Sequence, residues 1–182
     1  MKVFMLFIAL ALGFNGHAQT KPIETSEEWK NFDKLADYLS RGSGKWVGEN
    51  PNYKPSNERS PKAFGLWFER PLPGLMTLTI VAYVKDTVVI SSQGTFNWHP
   101  TEKKVIHSTS DRGNGYSEGI TSFPNDSTLI SVMKIFRPNG KIYDHKDENF
   151  VVSEDMHRNT SFGKDENGNW VEKGSWVWKR EE

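Results

Sequence analysis

Apolar positions change their spacing twice along the chain. Val3 to Phe14 is an almost unbroken apolar run. Trp29, Phe32, Leu35, Ala36 and Leu39 then recur at three- and four-residue steps, which predicts a helix with one apolar stripe. Thr25 and Glu28 stand in capping-box relation at its start, and Gly42 and Gly44 stop it. A stripe carrying two aromatics predicts packing on the chain's own domain, as a plug across one end of whatever follows.

Beyond Gly44 the period shortens to that of strands. Runs rich in Val, Ile, Thr, Phe, Tyr and Trp cover Lys45 to Val47, Ala63 to Arg70, Met76 to Val84, Thr87 to Gln93 and Val105 to Ser110. They continue at Tyr116 to Ser122, Thr128 to Arg137, Lys141 to Val152, His157 to Phe162 and Trp170 to Lys179. Turn residues divide them, among them Pro71-Leu72-Pro73-Gly74, Lys85-Asp86, Asp111 to Gly115, Pro138-Asn139-Gly140 and Asp165 to Asn169. Spacing near ten residues with no second helical pattern predicts an all-β fold, and successive hairpins favour an antiparallel up-and-down barrel of about ten strands. Asn50 to Lys62, with three prolines and no apolar rhythm, reads as a long loop near the barrel mouth.

The apolar run at the start follows Lys2 and precedes the small residues Gly16 and Ala18, the pattern of a signal peptide cleaved before Gln19. Its roughly 12 residues fall short of the about 20 that span a bilayer, so no stable membrane insertion is expected after cleavage. The division expected is 1–18 signal peptide, 19–41 helical segment and 42–182 barrel, in a protein exported to the periplasm or the medium. The chain contains no cysteine, which excludes disulfides, a lipid-anchored cysteine, thiolate catalysis and cysteine metal sites. Lys and Arg total 23 and Asp and Glu total 23, so there is no global basic field to gather nucleic acid, and no nucleic-acid partner is expected.

Trp46-Val47-Gly48, Trp98-His99-Pro100, the Gly-rich turn Asp111 to Gly115 and Trp178-Lys179-Arg180 together resemble the pattern of exported bacterial lipocalin-like proteins of the calycin superfamily. The resemblance covers residues 42 to 180. It implies a ligand-holding barrel whose first-strand tryptophan closes the base against a late arginine, which would pair Trp46 with Arg180. Gly44-x-Trp46-x-Gly48 is also similar to the opening of nitrobindin, a haem-binding relative whose iron is held by a histidine near the chain end. Here the last histidine is His157, with no matching sequence around it, so neither haem nor another cofactor is expected.

No two histidines stand in a ligand spacing, and no metal site is expected; Asp144-His145-Lys146-Asp147-Glu148 reads as a solvated strand with ordinary charge pairs. Glu69, Glu118 and His107 sit within otherwise apolar or small-residue strands, where a desolvated titratable group could do acid–base chemistry or be neutralised in an internal salt bridge. Trp67 has Gly65 and Glu69 as face-mates, which leaves room beside the indole, while Tyr143 and His145 suit a cavity better than Asp144, Lys146 and Glu148. The expected ligand-binding set is therefore Trp67, Glu69, His107, Glu118, Tyr143 and His145. The expected function is binding of a small amphipathic or aromatic molecule in the barrel, the alternative being an isomerase, cyclase or hydrolase on the same scaffold.

Overall fold

The computed structural model describes residues 26–182; the expected signal peptide and Thr25 lie outside them. Helix α1 spans Glu27–Ser40, and its cap is Ser26, whose Oγ accepts from the Trp29 N–H at 3.2 Å. Ten strands follow: β1 Lys45–Glu49, β2 Ala63–Leu72, β3 Leu75–Val84, β4 Thr87–His99, β5 Lys104–Asp111, β6 Tyr116–Asn125, β7 Thr128–Phe136, β8 Ile142–Ser153, β9 Met156–Lys164 and β10 Trp170–Arg180. Each pairs antiparallel with its neighbours, and β1 closes on β10 through Trp46↔Arg180 and Val47↔Lys179, giving a closed barrel. Closure removes both sheet edges, so every strand has two partners.

The apolar stripe of α1 covers one mouth. Phe32, Leu35, Ala36 and Leu39 are buried there together with Trp46, Phe68, Met76, Phe96, Val105, Phe123, Leu129 and Trp178. Phe32 meets Phe123 edge-on at 5.3 Å between ring centroids and Trp98 at 6.2 Å, and Trp29 meets Trp98 at 5.4 Å. Polar ties fix the helix over the barrel: Asn31 Nδ2 donates to the Phe123 carbonyl at 3.0 Å, and Arg70 on β2 pairs with Asp33 and Asp37. Gly44, at φ 65°, lets the chain turn from helix into β1, since a Cβ there would collide with the Phe68 carbonyl oxygen.

The opposite mouth is ringed by the hairpin ends at Asp111, Tyr116 and Arg137 and by the connection 50–62. That long connection is held at its ends: Asn50 N donates to Lys62 O, Lys62 N donates to Tyr83 O on β3, and Asn50 Nδ2 donates to Pro61 O.

Candidate functional site

Alternation along each strand decides what faces the interior. Phe64, Leu66 and Phe68 on β2, Leu78 and Ile80 on β3, and Phe96 on β4 form an apolar wall. Across the barrel the same alternation brings polar residues inward at one height: His107 on β5, Thr121 on β6, Ser131 on β7, Asp147 on β8, and Asn159 with Ser161 on β9. Trp176 and Trp178 on β10 join the two walls, and Leu35, Tyr38 and Leu39 of α1 make the floor. They enclose a cavity of about 430 Å³.

The polar belt is continuous. His107 Nδ1 lies 2.9 Å from Thr121 Oγ1, which lies 2.8 Å from Ser131 Oγ. Ser131 is the cross-strand partner of Asp147, and Asp147 is that of Ser161. Ser161 donates to Asp147 Oδ1 at 2.5 Å, and His145 Nε2 stands 3.2 Å from Asp147 Oδ2. Burial pushes the Asp147 carboxyl up, but the bonds from His145, Ser161 and Asn159 outweigh it and hold the group below the usual carboxylate range.

His107 is 2% exposed, and its Nε2 is buried without a partner. Burial lowers its pKa to about 4, against a raising influence from the Asp147 charge, so the imidazole is neutral at physiological pH. His157, deeper and also 2% exposed, sits 4.6 Å from Trp46 and 6.3 Å from Trp178 between ring centroids, with Nδ1 unpartnered. Burial, reinforced by the Arg180 charge, takes its pKa to about 3. The indole N–H groups of Trp176 and Trp178 are likewise buried and unpartnered. Unmet donors and acceptors around a void are the pattern a bound ligand or ordered water completes.

Of the six residues expected to line the site, His107 does so. His145 and Tyr143 share the inward parity of Asp147, but His145 reaches the site through its contact with Asp147, and Tyr143 is exposed at the outer end of β8. The structure places Trp67, Glu69 and Glu118 on the outer face of the barrel. On β2 the inward set is Phe64, Leu66 and Phe68; Trp67 lies under the Lys45 ammonium, whose Nζ is 5.0 Å from the ring centroid, and Glu69 is exposed. The space beside Gly65 is filled from outside by the Tyr83 ring, whose hydroxyl is 3.1 Å from where a Cβ would stand. Glu118 is exposed on β6 and accepts from the Tyr116 hydroxyl at 3.0 Å.

Sequence reasoning missed Asp147, Asn159, Ser161 and His157 as lining groups. Asp147 was legible as a face-mate of Tyr143 and His145, but a charged strand reads first as solvated. Among the described residues, no group of three or more His, Asp or Glu side chains comes together in a way that would hold a metal ion.

In comparison with known proteins, no family model and no curated sequence matches the chain. The reading of the site therefore rests on the two-sided cavity itself.

Proposed function

We propose that the protein binds a small amphipathic molecule inside the barrel, as an exported lipocalin-like carrier. The observation that carries this reading is one 430 Å³ cavity with a mostly apolar wall from β2 to β4 and, facing it from β5 to β9, a polar belt at one height flanked by Leu129, Met133 and Ile135 of β7. An apolar ligand body gains by covering Phe64, Leu66 and Phe68, while the belt orients its polar head. The Trp46–Arg180 pair at the base supports the lipocalin-like assignment, and the apolar run from Val3 to Phe14 supports export to the periplasm or the medium.

His107 beside Asp147 favours a second reading, acid–base catalysis, because both face the cavity. Efficient proton transfer wants a group titrating near the working pH, whereas burial leaves His107 weakly basic at about 4 and Asp147 is held ionised. Two groups fixed in their neutral and charged forms suit recognition better than turnover. Native mass spectrometry of the protein purified from its own source tests the choice: a retained mass that is lost on denaturation is expected. A bare polypeptide mass, together with no response to neutral amphiphiles added afterwards, would overturn the binding reading.

A further inference from the structure

We propose that the cavity selects amphiphiles with a cationic amine head over anionic amphiphiles of the same shape, and that Asp147 makes this choice; the proposal rests on the binding reading above. The carboxylate of Asp147 faces the interior with three partners in place, Ser161 on Oδ1, the imidazole of His145 on Oδ2, and Asn159. A carboxylate offers about four acceptor positions, so capacity remains. A quarter of the Asp147 side-chain surface is still open. His107 Nε2, buried and unpartnered, adds a neutral hydrogen-bonding group on the same belt.

No counter-charge from Lys or Arg stands beside Asp147 among the described lining residues. The one such cation in the lining is Arg137, at the mouth, where it is paired to Asp111 at 2.5 Å. Lys134 and Lys164 pair with Asp144, and Lys146 pairs with Glu148, on the opposite parity of β8. A carboxylate-headed ligand would thus bring a second negative charge into a desolvated space, while an ammonium would complete the Asp147 shell. The indole N–H groups of Trp176 and Trp178 would welcome an oxygen on the ligand, but neutral hydrogen bonds are weaker than charge repulsion in a site screened from water.

Trp176 and Trp178 border the cavity, so their fluorescence reports occupancy. The purified protein is titrated with decylamine, decanol and decanoate below their micellar concentrations at about pH 7, where the amine is charged and the acid ionised. Decylamine is expected to bind at least about tenfold more tightly than decanoate, with decanol between. Asp147→Asn should abolish the amine's advantage over decanoate, and Asp147→Glu should retain it. Should the Asn variant fail to fold, the ranking of the three head groups on the unaltered protein decides alone. Equal or tighter binding of decanoate, or an amine preference that survives Asp147→Asn, overturns the selection by Asp147 while leaving the binding reading intact. Failure of all three probes, decanol included, overturns both.

Discussion

The guanidinium of Arg180 lies over the Trp46 indole, with Cζ 4.0 Å from the ring centroid. The same group bonds along its edge: Nη1 donates to Arg41 O at 2.8 Å, Nη2 to Tyr38 O at 2.9 Å, and Nε to Asp155 Oδ1 at 3.1 Å. Two of these acceptors belong to the C-terminal end of α1, whose last turn carries no basic residue of its own. Arg180 thus adds from β10 a cation at the helix terminus, beside the C-cap Arg41, and ties helix, first strand and last strand at the point where the barrel closes.

Arg180→Lys keeps the charge but loses the planar fork and the stacking. A loss of about 2 kcal/mol is expected, in the range for charge-assisted hydrogen bonds to a largely buried group. Urea unfolding measures it. A change under about 0.5 kcal/mol would mean that the fork does not hold the helix to the barrel.

Trp46 is fully buried, and its Nε1 donates to Leu39 O at 2.8 Å. Trp46→Ala removes that bond, the partner of Arg180 and the ring against His157, and is expected to cost about 3 to 5 kcal/mol. A measured cost below about 1 kcal/mol would contradict its place in the buried core beneath the helix.

Most of the architecture was legible because turn chemistry is local. Lys85-Asp86 and Asn139-Gly140 break the strands where the sequence places them, and all ten strands appear, β2 running on through Pro71 to Leu72 before the turn at Pro73-Gly74 and β4 running on to His99. The inward faces were less legible, since hydrogen bonding between strands does not record which parity faces in. On β2 both parities carry aromatics, and the uniformly apolar set Phe64, Leu66, Phe68 lines the cavity in place of the mixed set Gly65, Trp67, Glu69. On β8 the inward carboxylate of Asp147 is tolerated because His145, two residues away on the same face, and Ser161, its registered partner on β9, both bond it, and the second relation is one between strands that no single segment displays.

Acid should unfold the protein earlier than its carboxylates alone would dictate. Both His107 and His157 have folded pKa values, about 4 and about 3, below the ordinary 6.5. Between those values and 6.5 the unfolded chain binds the protons, so stability is complete above about pH 6.5 and falls as pH drops toward 4 and then 3. At pH 4.5 the loss is about 2 to 3 kcal/mol per histidine, and lowering the pH further adds Asp147, whose depressed pKa makes its contribution disappear only in stronger acid. Urea midpoints between pH 8 and pH 4.5 test this, with His107→Gln expected to flatten the slope. A flat profile in the unaltered protein would place both rings in water.

The sharpest contrast is between two histidines, His107 on β5 and His145 on β8, and a carboxylate on the outer face. His107→Ala empties space beside Phe96, whose ring centroid is 5.5 Å away, and takes the Nδ1 partner from Thr121, which keeps Ser131. A cost of about 1 to 3 kcal/mol is expected, with loss of any mass that the unaltered protein retains on purification. His145→Ala removes a partly exposed contact to Asp147 and should cost less than about 1 kcal/mol, while Asp147 keeps Ser161 and the ligand is retained more weakly. Glu118→Gln, exposed and on the outer face, should change neither stability nor retention. Thermal unfolding and native mass spectrometry on the three variants read these outcomes together. If His107→Ala behaves like Glu118→Gln in both measurements, the polar belt does not meet a ligand and the site lies elsewhere.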